Sequence, residues 1–164
     1  MKPIHLRALI ALGALLVLGA LNFAIVGKER IKRDGELVFL PLAPVDPRSL
    51  IQGDYMALRF ALTRDIERGR EADKRVARDG EVALASVTLD DQRIARLAGD
   101  GVAATMTLRY RIRDGHVWLG TNAFFFEEGT AERFNGARYG EFRVDRASGE
   151  AVLVGLRDAQ LAAL

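Results

Sequence analysis

Cysteine is absent from the 164 residues. That excludes a disulfide framework, a thiolate zinc site and a cysteine nucleophile. Histidine occurs twice, at His5 and His116, too few for a three-histidine metal site. Proline occurs four times, and three of the four (Pro41, Pro44 and Pro47) fall within seven residues. Neither charge sign dominates, since the net charge is +2, but the balance is uneven along the chain. Residues 1–33 carry six Lys/Arg and one Glu, or +5; residues 34–164 carry 18 basic and 21 acidic residues, or −3. The basic pI of about 9.2 therefore belongs to one end, and gives no support to nucleic-acid binding by the folded part. What is present is ordinary for a folded chain: 49% apolar and 28% charged residues exclude disorder and a collagen-like repeat. The length suits one domain with an added segment, and not two full domains.

The added segment is Ala8 to Val26, ALIALGALLVLGALNFAIV, 19 residues with no charge and one amide, Asn22. Roughly 20 apolar residues cross a ~30 Å hydrocarbon core. Lys2 and Arg7 precede it, and Lys28, Arg30, Lys32 and Arg33 follow. A helix packed on a small soluble domain keeps a polar stripe toward water, and this segment has none. A cleaved secretory peptide would need small residues at its end; the nearest match, Ile25-Val26-Gly27, is weak and runs straight into Lys28. The expectation is an uncleaved transmembrane helix, with Asn22 near the headgroups. The flanking charges, four after and two before, favour a cytoplasmic C-terminal side.

The rest reads as mainly β. Glu36 to Leu42 is a short β-like run that leads into the proline cluster. Met56, Leu58, Phe60 and Leu62 alternate with less apolar residues, a period of two that predicts a half-buried strand. Arg64 to Glu71 reads as a loop or one helical turn. Asp79-Gly80, Asp114-Gly115 and Ser148-Gly149 each stand between strand-like runs and signal hairpin turns, where positive φ is required. Residues 90–99 read as a short helix carrying Ile94 and Leu97 on one face, and Glu127 to Ala137 as a loop or short helix. Trp118 reads as core, and His116 as a surface residue beside a turn. The expected architecture is a small antiparallel β-sandwich or barrel-like domain of about eight strands with one or two short helices, preceded by one N-terminal transmembrane helix. The divisions are 1–7, a basic flank; 8–26, the transmembrane helix; 27–35, a charged juxtamembrane segment; and 36–164, the β-rich domain.

The stretch richest in chemistry is PVDPRSLIQGDYMALRF, Pro44 to Phe60. Asp46-Pro47 starts a turn, Gly53-Asp54 enters a strand tightly, and Arg48 and Arg59 are candidate partners for Asp46 or Asp54. The reading favoured is a rigid turn holding the first strands in register, with a binding surface second. Asp90-Asp91 and Glu127-Glu128 are adjacent pairs whose side chains diverge on a strand, so neither makes a paired-carboxylate site. The run Phe124-Phe125-Phe126 must expose or cover one face, a modest hint of a contact surface.

Gly53-Asp54-Tyr55-Met56-Ala57-Leu58-Arg59-Phe60 resembles the signature of the GDYXXLXY family of bacterial proteins, with Asp46-Pro47-Arg48-Ser49-Leu50 similar to its lead-in. Phe60 stands where the family has Tyr, which keeps the ring and loses the hydroxyl. Phe124 to Gly129 resembles a second family segment, aromatic–Phe–x–Pro–Glu–Gly, with Glu127 in place of Pro. The resemblance implies a membrane anchor followed by a small domain, no established activity, and a polytopic membrane protein as partner. It favours an extracytoplasmic domain in the inner membrane, against the charge count. The residues it marks for binding or motif roles are Asp46, Pro47, Arg48, Gly53, Asp54, Tyr55, Leu58, Phe60, Glu128 and Gly129. No catalytic residue, metal ligand or cofactor is assigned. The expected partners are the lipid bilayer and that membrane protein, not nucleic acid. The rival reading is a membrane-tethered Ser/Lys hydrolase resembling a divergent signal peptidase, with Ser49, Gly53-Asp54 and Lys74 in Lys74-Arg75-Val76. It requires Lys74 to be buried enough to act as a base, and Lys74 lies in a charged run.

Overall fold

The uncharged run near the start forms the middle of a single helix. The computed structural model describes residues 3–43, 51–52, 55–73 and 78–164, with backbone alone for 3–8 and 51–52. Helix α1, Pro3–Asp34, spans 32 residues, about 48 Å at 1.5 Å per residue. It is long and apolar enough to cross a membrane, and its apolar stretch is not covered by the other described residues. Asn22 Nδ2 donates to the Leu18 carbonyl at 3.0 Å, so its amide is satisfied within its own helix. The helix ends where the Gly35 amide donates to the Ile31 carbonyl at 2.8 Å. A Cβ on Gly35 would stand 2.4 Å from that same carbonyl oxygen. Strand β1, Glu36–Pro41, begins at once, so helix and domain join without a linker.

Three antiparallel sheets follow. Strand β1 pairs with β9 (Tyr139–Val144), which pairs with β10 (Ala151–Arg157). Strand β3 (Tyr55–Ala57) lies between β2 (Ile51–Gln52) and β8 (Ala123–Phe125). The largest sheet runs in the order β5 (Ala95–Leu97), β4 (Val82–Leu89), β6 (Met106–Arg113), β7 (His116–Trp118). A bridge from Phe39 to Ile94 links β1 to the β5 edge, and the Arg109 amide donates to the Gly149 carbonyl at 2.7 Å. Together they curl the sheets into a half-barrel. Inside lie Val38, Leu40, Val87, Leu108, Phe142 and Val144, all fully buried. Helix α2, Ala61–Ala72, closes one side with Leu62 and Ile66. The mainly β architecture expected from the sequence is therefore the one found, with ten short strands among the described residues.

Hairpin signals proved dependable where described. Asp114 and Gly115 take φ of 50° and 77° and set Arg113 opposite His116. Gly149 takes φ of 70° between β9 and β10, where the Asp145 carboxylate accepts from the Ser148 amide at 3.0 Å. Gly80 also has positive φ and leads into β4; residues 74–77 before it lie outside the described residues. The polar stretch after Glu127 contains a short 3-10 turn, Ala131–Phe134.

Three local expectations are corrected. The predicted strand through Leu62 stops at Ala57, and α2 starts at Ala61. Met56, Leu58, Phe60 and Leu62 are nonetheless all buried, so the alternation marked the right side chains. The helical period is carried by Leu62, Ile66 and Arg70, four apart and buried; the last is charged and invisible to a hydrophobic count. The predicted helix over 90–99 is instead a turn and β5. Asp90 Oδ1 accepts from the amides of Gln92 and Ile94 at 3.0 and 2.9 Å, and Arg93 sits at φ 64°, which a right-handed helix cannot accommodate. Trp118 is half-buried on the outer face of β7, while its neighbours Val117 and Leu119 fill the core; adjacent strand residues face opposite ways.

Candidate functional site

Two motif segments far apart in sequence meet in one small sheet. Strand β3 pairs with β8 so that Tyr55 faces Phe125, Met56 faces Phe124 and Ala57 faces Ala123. The Tyr55 and Phe125 rings lie 5.8 Å apart, and Phe125 is 75% exposed. Phe124 and Phe126 turn the other way and contact Phe134 at 5.2 and 5.3 Å between ring centroids. The Phe run thus divides into two packed rings and one outward ring beside the motif tyrosine. Leu58 is buried, and its amide donates to the Asn122 carbonyl at 2.6 Å. Phe60 is buried edge-on against Phe142, centroids 5.2 Å apart. Both are structural anchors. Glu128 and Gly129 are exposed in a turn where Gly129 has φ of 79° and the Thr130 hydroxyl donates to the Glu127 carbonyl at 2.6 Å. Asp46, Pro47, Arg48, Gly53 and Asp54 lie outside the described residues, as do Ser49 and Lys74 of the hydrolase reading.

A second region lies where α1 meets the β9–β10 hairpin. A groove of about 1010 Å³ is lined there by Phe23, Gly27 and Ile31 of the helix and by Val144 and Ala147 of the hairpin, among others. Phe23, at the apolar end, is 84% exposed. Polar groups ring the other end. The Lys28 ammonium is paired with Glu150 Oε1, and Arg146 Nε donates to Glu36 Oε2 at 2.8 Å. The Arg146 guanidinium holds the Glu36 carboxyl below its ordinary value. Bonds from the Ser148 hydroxyl and amide do the same for Asp145.

A third feature was passed over in the sequence, although its signal was there in the alternating arginines of TLRYRIR. Arg109, Arg111 and Arg113 all point outward from β6. Behind them, Arg70 of α2 makes a two-pronged contact with Glu81, at 2.8 and 2.9 Å, and a third bond to the Tyr110 hydroxyl at 3.2 Å. That fork holds the Glu81 carboxyl below its ordinary value and clamps α2 to the sheet. His116 is exposed beside the turn, its Nδ1 3.6 Å from Glu67 Oε1. Among the described residues no group of His, Asp and Glu is arranged to hold a metal ion.

Among the described residues, a long apolar helix that no other element covers is fused without a linker to a small half-barrel of antiparallel strands, and this defines the class: a β-rich domain on a hydrophobic helix. Residues 17–156 match the family of GDYXXLXY proteins, and the chain belongs to that family. No curated protein and no solved structure matches it.

Proposed function

We propose that the chain is a membrane-anchored accessory or interaction module of the bacterial envelope. Helix α1 spans the inner membrane, the β domain lies on the extracytoplasmic side, and a polytopic membrane protein is the partner. The observation that carries this reading is the groove at the helix–hairpin junction. Its floor changes from apolar (Phe23, Ala24, Gly27) to ionic (Lys28, Asp34, Glu36, Glu150) at the level where the uncharged run ends. A transmembrane helix emerging from lipid has that same order of chemistry along its length. Helix pairing in lipid depends on close packing of small residues, and Ala24 and Gly27 supply such a surface.

Photo-crosslinking side chains placed at Phe23 and Ala147 in intact membranes, followed by mass spectrometry, test this. The expected result is one polytopic protein captured from both positions and not from the exposed Asp91. Capture of nothing but lipid from both positions would refute the partner. A reporter enzyme fused after Leu164 reads out the side of the membrane.

A further inference from the structure

The outer face of the largest sheet differs from the domain as a whole. Its outward strand residues include Arg96 on β5 and Arg109, Arg111 and Arg113 on β6, and no carboxylate, in a domain whose overall balance is acidic. Arg111 and Arg113 form no ion pair among the described residues; Arg113 instead lies over the Trp118 ring, 5.1 Å from its centroid. Leu84 stands opposite Arg109 and Val82 opposite Arg111, and these two apolar side chains are 57% and 51% exposed. Exposed aliphatics, arginines and one tryptophan together are the composition of a surface at a bilayer boundary, where the ring and the alkyl stems enter the headgroup layer and the cations stay with phosphate.

The position of this face relative to α1 fixes its depth. Lys28 is two residues beyond Val26, about 3 Å further along the helix axis, and so stands at the headgroup level of any bilayer that holds the uncharged run. Its ammonium pairs with one oxygen of Glu150, and the other oxygen contacts Arg109 Nη2 at 2.9 Å. One carboxylate therefore ties the first arginine of the stripe to the headgroup level. A cleft of about 260 Å³ joins Lys28, Arg109, Arg111, Arg113 and Trp118. Burial lowers the Lys28 pKa, and the nearby Arg109 guanidinium lowers it further.

We propose that the outer face of β4, β6 and β7 rests on the bilayer and binds the phosphate groups of anionic phospholipids through Arg109, Arg111 and Arg113, with Val82, Leu84 and Trp118 entering the headgroup layer. This rests on the membrane anchoring of α1 proposed above, and adds that the domain lies against the membrane rather than standing clear of it. Each arginine at an anionic surface corresponds to about a fivefold shift in the ratio of docked to undocked domain, so loss of two abolishes most docking.

Trp118 is the only tryptophan in the chain and reports directly. The full chain is placed in nanodiscs of phosphatidylcholine alone, or with one quarter phosphatidylglycerol, each containing a headgroup spin-labelled quenching lipid. Quenching of Trp118 should be stronger in the anionic discs. It should weaken between about 0.1 M and about 1 M salt, as the screening length falls from about 10 Å to about 3 Å. The Arg111→Gln/Arg113→Gln variant should lose the phosphatidylglycerol-dependent part while still co-eluting with discs. Equal quenching in both lipids, or unchanged lipid dependence in the variant, overturns the proposal. If inorganic phosphate perturbs Trp118 in phosphatidylcholine discs as strongly as phosphatidylglycerol does, the cleft takes free anions and the lipid assignment is wrong. Failure to enter discs refutes the anchor itself, a result separate from an incorporated chain whose Trp118 does not respond.

Discussion

Gly140 is the second residue of β9, the middle strand of its sheet, opposite Leu40 on one side and Leu156 on the other, and the family motif's last aromatic packs on it. A Cβ at this position would lie 2.8 Å from Phe60 Cε1, 2.9 Å from Phe142 Cε2 and 3.2 Å from Leu153 Cδ1. Both rings are buried, so neither can swing into solvent. Overpacking of this kind costs about 1–3 kcal/mol, and the stiffer unfolded chain of Gly→Ala returns about 0.4–1 kcal/mol. The net expectation for Gly140→Ala is a loss of about 1–2 kcal/mol, or a fall in Tm of about 3–10 °C for a domain of this size. Gly136→Ala is the control, since nothing lies within 4 Å of its would-be Cβ, and it should match or slightly exceed the parent. Urea unfolding of the full chain in mild detergent, followed by Trp118 emission, measures both. Phe60→Leu in the Gly140→Ala background tests the contact itself. Removing the ring should recover part of the loss, a coupling of about 0.5–3 kcal/mol for residues in direct contact. Equal stability of the two alanine variants would refute the packing argument, and zero coupling would show that Phe60 is not the side chain in the way.

Acid should destabilise the domain through its paired carboxylates. Glu36, Glu81 and Asp145 all titrate below their ordinary values in the fold, so the unfolded chain binds protons first, and their stabilisation, complete near neutral pH, is lost as pH falls from about 5 through the lowered folded values. Tm measured across that range should drop, and Glu36→Gln should flatten the drop; a Tm independent of pH down to about 3 would contradict the ion-pair geometry. At the motif sheet, Phe125→Ser should leave stability within about 0.5 kcal/mol because the ring is outside, whereas Phe134→Ala, which strips the support from Phe124 and Phe126, should cost about 3–5 kcal/mol. Equal effects of these two changes on urea midpoints would mean that the Phe run is not divided as described.

The sequence alone determined what depends on local chemistry. Nineteen uncharged residues in a row permit a helix and demand an apolar surround. Asp114-Gly115 and Ser148-Gly149 impose positive φ and therefore hairpins, and alternation picked out Met56, Leu58 and Phe60 as inward. Local rules failed wherever a distant partner settled the outcome. Residues 95–97 became a strand because β4 offered an edge and Asp90 closed a turn. Helix α2 reads in the sequence only as a loop or one helical turn over residues 64–71, because the third residue of its inward stripe is an arginine, acceptable there because Glu81 and Tyr110 receive it. For the motif itself, the sequence marked Tyr55 and Phe125 separately, and only strand pairing set them face to face. The arginine face was likewise half visible: the spacing of Arg109, Arg111 and Arg113 showed one polar side of a strand, but not that Lys28, some eighty residues earlier, shares a carboxylate with it. Tertiary structure decided that, because an ion pair between two elements depends on where the chain folds back, and no local pattern records it.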